Sequence, residues 1–151
     1  MNYIEYLPLI LWVSIFSILF LNSLYCLYKS IKASFWPKAQ GEILNLQIDE
    51  ERDSEGDLFY LTNTRYRYTV DNITYQSSRL AYGLDSWAFF WLTSGAFKEA
   101  AKNYPSVIVK YNPQWPNESA LVTGIKRFHI ASLLLFATFG LMPLYSLNKR
   151  L

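Results

Sequence analysis

From Tyr6 to Tyr28 the chain carries no charged side chain, and this run, YLPLILWVSIFSILFLNSLYCLY, constrains the fold more than any other feature. At about 1.5 Å per residue it can cross a hydrocarbon core of about 30 Å, so it predicts a transmembrane helix over 6–28. Glu5 stands where a secretory leader has a basic segment, and bulky Tyr25, Leu27 and Tyr28 close the run where a leader needs small residues. The segment therefore reads as uncleaved. A second apolar run, Phe128 to Leu147, lies between Lys126-Arg127 and Lys149-Arg150 and predicts a second span over 128–147. Gly140 and Pro143 weaken that helix locally, which neighbouring groups can compensate in a membrane.

Charge is segregated to match. Every charged residue except Glu5, Lys149 and Arg150 falls within 29–127. The whole chain has 14 Lys and Arg against 12 Asp and Glu, so the enclosed domain is close to neutral and nucleic acid is not an expected partner. A hydrophobic share of 52% excludes a disordered tail, and a single cysteine, Cys26, excludes a disulfide scaffold. Lys29, Lys32, Lys38, Lys126 and Arg127 outnumber Lys149 and Arg150 at the membrane ends, which favours a cytoplasmic domain. Ser14, Ser17 and Asn22 share one side of the first span and seek Ser132 or Thr138 of the second, or another subunit.

Residues 29–40 read as an interfacial connector, with Lys29 and Lys32 at headgroup level and Phe35 and Trp36 as aromatic anchors. A β-rich soluble domain is expected over 41–124. Its first strand, about 41–49, alternates Leu44, Leu46 and Ile48 against Ile43, Asn45 and Gln47, a half-buried pattern. The acidic stretch Asp49 to Asp57 reads as a hairpin loop. As a calcium loop it fails, because the twelfth position falls on Thr62 where a bidentate Glu is required. Tyr66, Tyr68 and Val70 alternate with Arg65, Arg67 and Thr69, and Asp71-Asn72 turns the chain into Ile73-Thr74-Tyr75. A helix is expected over about 85–103, capped by Asp85 or Ser86 and ended by Tyr104-Pro105. Its aromatic start, Trp87, Phe89, Phe90 and Trp91, has two fates: packing over the open sheet face, or dipping into the bilayer interface. A ligand-lined cavity is a third. Val107 to Tyr111 and Glu118 to Thr123 supply the last two strands.

The run Tyr104-Pro105, Val107, Val109, Tyr111-Asn112-Pro113, Pro116, Ser119 and Leu121 resembles the C-terminal pattern of the bacterial membrane-protein family catalogued as domain of unknown function 3592. Trp36, Ala39, Gly41 and the Tyr66 to Tyr75 hairpin also look like that family. Ser106 directly before Val107, and Trp115-Pro116 where Asn-Pro is common, depart from its pattern. The resemblance implies an architecture and a bacterial inner (cytoplasmic) membrane location, with no established activity. The motif residues Tyr104, Pro105, Tyr111, Asn112, Pro113 and Pro116 read as structural.

The fold class expected is an α+β membrane protein: two transmembrane helices flanking a small antiparallel β-rich domain, barrel- or sandwich-like, with one inserted helix. Catalytic chemistry finds little support. The only histidine, His129, lies at the membrane end of the second span, Cys26 lies in the first, and neither has an acidic orienter beside it in sequence. There is no zinc-ligand spacing, P-loop or dinucleotide fingerprint, so no metal or cofactor is expected. The reading that follows is a non-enzymatic interaction or scaffold module. Its partners are the bilayer and another protein, with room for a homo-oligomer, and Trp87, Phe89, Phe90 and Trp91 form its contact or membrane-interface surface. A toxin-immunity component and a lipid or small-ligand enzyme are the alternatives.

Overall fold

The computed structural model describes residues 7–52, 58–84 and 90–148. Helix α1 (Leu7–Ser34) leads into strand β1 (Lys38–Arg52), then β2 (Leu58–Val70), β3 (Ile73–Ser77), helix α2 (Phe90–Ala101), β4 (Ser106–Tyr111), β5 (Ser119–Ala120) and helix α3 (Arg127–Asn148). The strands form one antiparallel sheet in the order β3-β2-β1-β4-β5, with a helix before the fourth strand.

That sheet curls. Val122 N donates to Leu80 O at 2.8 Å and a bridge joins Ala81 to Val122, so the chain just past one edge strand meets the chain just past the other. Side chains cross the same gap: Tyr66 on β2 meets Ser119 on β5, hydroxyl to hydroxyl, at 3.0 Å. Partial closure of this kind covers edges that would otherwise invite pairing with other chains. Tyr66, Tyr68 and Val70 face inward as their alternation predicts, packed with Ile43, Val107 and Val109. Gly41 allows the central strand to pass between its neighbours. A Cβ there would lie 2.7 Å from the Arg67 carbonyl oxygen and 2.8 Å from Val109 Cγ2. The Asp71-Asn72 turn adopts φ of 50° and 64°, the left-handed pair that suits a tight hairpin and that Asp and Asn tolerate.

Three local expectations are corrected. In β1 the inward face does not include Leu44, and the side chain of Ile48 lies outside those described. The register shifts between Ile43 and Asn45, so Leu44 is an extra residue and stays exposed, while buried Ile43 and partly buried Leu46 both pack against the core. A bulge resets side-chain parity, which period-two counting cannot anticipate. Along the connector 29–40, α1 continues to Ser34 and β1 begins at Lys38. Trp36 is buried with Ala33, Tyr82 and Ala120 instead of resting at an interface, whereas Phe35 is exposed.

The third correction concerns the helix pair. Ser14 and Ser17 point outward and Thr138 Oγ1 donates to Leu134 O at 2.9 Å within its own helix, whereas Asn22 and Ser132 line one cleft between the two helices, with Ser132 Oγ also bonded to His129 O at 3.0 Å. Hydroxyls satisfied by the preceding turn have no need of a partner helix. The seam instead joins Trp12 and Phe16 to α3: Trp12 Nε1 donates to Phe139 O at 2.9 Å, and Phe16 stacks on Phe139 with ring centroids 6.0 Å apart. Gly140 permits this approach, since a Cβ there would come 3.3 Å from Phe16 Cβ. α1 is long and apolar enough to cross a membrane, with only 6% of its most apolar stretch buried; the apolar part of α3, Arg127–Met142, is shorter.

Candidate functional site

The family-like motif builds a closed turn. Beyond β4, Asn112 N donates to Glu118 O at 2.8 Å, Trp115 N to Asn112 O at 3.2 Å, and Glu118 N to Trp115 O at 2.8 Å. The Asn112 side-chain oxygen accepts Gln114 N at 3.0 Å, a side-chain turn typical of Asn before proline. Tyr68 OH donates to Pro116 O, tying the loop to the sheet interior. The result presents Glu118 inward.

Glu118 joins three parts of the chain. Its Oε1 accepts Tyr82 OH at 2.7 Å and Lys29 Nζ at 2.9 Å, and its Oε2 accepts Asn112 Nδ2 at 2.7 Å. Burial pushes the carboxyl up, but the bonds from Tyr82, Lys29 and Asn112 outweigh it and hold the group at about 2. The Tyr82 phenol is raised, first by burial and then by the carboxylate it donates to. Arg79 holds its guanidinium carbon 4.7 Å over the Tyr82 ring, and the Trp36 and Tyr82 rings meet edge-on at 6.3 Å.

Beside this hub, α3 is locked to the turn after β3. His129, 2% exposed, accepts Lys126 N–H on Nδ1 at 3.1 Å, which leaves the proton on Nε2 to be donated to Tyr82 O at 3.1 Å. Both ring nitrogens are thus engaged with backbone, and the ring is held as a neutral brace. Ser30 and Gly124 exchange two bonds of 2.9 Å, side-chain hydroxyl to carbonyl and amide to carbonyl, fastening α1 to the start of α3.

Between the two helices opens a cleft of about 550 Å³. On α1 its walls recur as Leu19, Asn22, Ser23, Cys26 and Lys29; on α3 as Phe128, His129, Ser132 and Phe136. Both sets follow helical spacing, one face from each helix. Arg79, Tyr82 and Glu118 close the domain end. The structure therefore brings Cys26 and His129 to one cleft, with the imidazole already committed to backbone. Among the described residues no group of three His, Cys, Asp or Glu is placed to hold a metal.

Of the residues the sequence singled out, Trp87 and Phe89 lie outside the described residues, and Phe90 and Trp91 open α2. The described part of that helix buries Ala96 and Ala100 against Leu80, Leu84, Val122 and Phe128, and Lys126 pairs with Glu99 at 2.6 Å. Tyr104 is exposed and precedes a cis peptide to Pro105. Tyr111 stacks on Tyr68 with centroids 6.4 Å apart. Lys29, Arg79, Tyr82 and Glu118 were not anticipated as a group. Positions so far apart share no spacing, and a lone Glu between two prolines and a span gives no periodic signal.

An apolar N-terminal helix, a curled five-stranded antiparallel sheet and a C-terminal helix paired with the first define a helix-flanked small β-domain. The family model described as Domain of unknown function (DUF3592) matches residues 39–126, from the second residue of β1 to the threshold of α3, and the chain belongs to that family. No curated protein and no solved structure matches it significantly.

Proposed function

We propose that the chain is a two-pass integral membrane protein whose β-domain is a non-enzymatic protein-interaction module held rigidly at the membrane surface. The observation that carries this reading is the helix pair. α1 and α3 run antiparallel along the Trp12–Phe139 seam and turn apolar side chains outward, Ile10, Ile15, Ile18 and Leu21 on one and Ile130, Leu134, Leu141 and Met142 on the other. In water such a surface is unfavourable; in lipid it needs no cover. α3 in full has 22 residues, about 33 Å of helix, enough to span beside α1. The engagement of both His129 nitrogens with backbone supports a non-enzymatic role, since that imidazole is not available as a base. Basic residues at the domain side favour the cytoplasmic face.

The test is topology. In a Cys26→Ser background, single cysteines replace Asn2, Ser54 or Lys149, and an impermeant maleimide is applied to intact and lysed cells. Ser54→Cys labels only after lysis, and the two terminal positions label in intact cells. Terminal positions on opposite faces would refute the two-pass reading. For the interaction surface, Trp87→Ala with Trp91→Ala weakens specific co-purification while thermal unfolding is preserved; unchanged partners with that double variant would remove the assignment.

A further inference from the structure

We propose that the β-domain makes a contact of its own with the bilayer through Trp115 and Ile125, which enter the headgroup layer where α1 leaves it. The proposal rests on the two-pass reading. Lys29 is the first charged residue after the uncharged run, so α1 emerges from hydrocarbon at the level of Lys29 and Ser30. Two turns of the β-domain are fastened to this one place. Lys29 Nζ donates to Glu118 Oε1 at 2.9 Å and Glu118 N to Trp115 O at 2.8 Å, so the turn between β4 and β5 is fixed beside the Lys29 side chain. Ser30 bonds Gly124 through both its hydroxyl and its carbonyl. Ile125 is the next residue, and it lies between that level and the start of α3 at Arg127.

Each turn carries one large apolar side chain that the domain leaves bare: Trp115 is 67% exposed and Ile125 62%. A lone exposed apolar residue is ordinary on a protein surface. These two come from separate turns and are held at one height, just above Tyr25 and Tyr28, which are themselves exposed on α1. Lys29 Nζ lies 5.9 Å over the Tyr25 ring, so the cation leans back along α1 toward the span, as helical side chains do, and holds Glu118 and its turn there. Tryptophan and tyrosine favour this layer because the ring is apolar while its N–H or O–H stays wet. Trp36 shows that the domain can cover an indole where it needs to, with Ala33, Tyr82 and Ala120 around it. The occupant of the bare patch is the lipid surface, because the patch is continuous with the outward apolar flanks of α1 and α3, at Tyr25 on one and Ile130 on the other.

The experiment uses the full chain in vesicles of equal phosphatidylcholine and phosphatidylglycerol. In the Cys26→Ser background, a nitroxide is attached to Trp115→Cys, Ile125→Cys, Leu44→Cys, Tyr104→Cys or Leu134→Cys, all exposed positions that accommodate a label. Collisions with oxygen, which concentrates in lipid, are compared with collisions with a nickel chelate that stays in water. The ratio of oxygen to nickel collisions is severalfold higher at Trp115→Cys and Ile125→Cys than at Leu44→Cys and Tyr104→Cys, and highest at Leu134→Cys. Equal ratios across the domain positions, in protein with wild-type thermal unfolding, would overturn the contact. A label at Trp115→Cys shielded from both reagents would assign the turn to a protein neighbour and overturn it as well. Leu134→Cys keeps the two readings apart. A lipid-like ratio there with water-like ratios at Trp115→Cys and Ile125→Cys removes the domain contact alone, whereas a water-like ratio at Leu134→Cys removes the two-pass reading and the contact with it.

Discussion

Inside the sheet, Tyr75 and Tyr111 each stack on Tyr68, which lies tilted against Tyr66, and the phenols of Tyr66 and Tyr68 meet neutral groups, whereas at the helix ends Tyr82 donates to an ionised carboxylate. Both clusters are aromatic and both join distant parts of the chain. They differ in what can disturb them. The sheet cluster depends on packing and on hydroxyl bonds that do not titrate in ordinary conditions, since burial pushes the Tyr66 phenol up to about 12. The hub depends on one negative charge, and so do its contacts to α1 and to the turn before α2. The domain is insulated from pH in its interior and exposed to it at the joint with the helices.

The comparison breaks most severely at Glu118. Glu118→Ala removes the acceptor of three donors and leaves Lys29 and Tyr82 unmatched in a half-buried site; a loss of about 3 kcal/mol is expected in detergent unfolding. A loss under about 1 kcal/mol would mean that the hub is ornamental. Acid probes the same charge. The carboxyl lies below its ordinary value of 4.5 at about 2 when folded, so its contribution is complete above about 4.5 and is lost as pH falls toward 2. Partial exposure reduces the linkage from an upper bound of roughly 3 kcal/mol. Unfolding curves across that window fall for the wild type and flatten for Glu118→Gln.

Within the sheet, Tyr66→Phe forfeits the hydroxyl contacts to Ser119 and to the Arg79 carbonyl, and about 1 to 2 kcal/mol is expected with no change in pH profile. A pH-dependent difference between Tyr66→Phe and wild type would show that the two clusters are coupled. The smallest effect is a gain. Thr64 is buried with its hydroxyl unpartnered among the described residues, so Thr64→Val raises stability by about 1 kcal/mol, read as a higher midpoint in denaturant.

These two clusters were unequally legible in the sequence. Tyr66, Tyr68 and Val70 announce their shared face by alternation, and the Asp71-Asn72 turn announces the hairpin, because both are properties of neighbouring residues. The five strands, with a helix before the fourth, follow from the same local rules. What period-two counting missed in β1 is a single inserted residue, Leu44, so that the inward set passes from odd-numbered Ile43 to even-numbered Leu46. Trp36 looked like an interfacial anchor because it follows an apolar run and precedes a proline; only the fold supplies Tyr82 and Ala120 as its cover. The hub was the least legible part. Lys29, Tyr82 and the turn carrying Asn112 and Glu118 come from three separate stretches, and each residue alone has an ordinary surface explanation. Only the curl of the sheet against the ends of two helices makes them neighbours.

The short passage from α1 to β1 has a mechanical consequence. Phe35 N and Trp36 N bond back to the last helical turn at 3.2 Å, Lys110 Nζ reaches the Ser34 carbonyl, and Tyr111 N donates to Pro37 O at 3.2 Å, so every residue between the helix and the strand is gripped. The sheet is hafted on the helix as a blade on a handle, with no swivel between them. Any tilt of α1 is therefore a tilt of the sheet, and the long β1–β2 ribbon, which runs on beyond its pairing with β4, sweeps the widest arc.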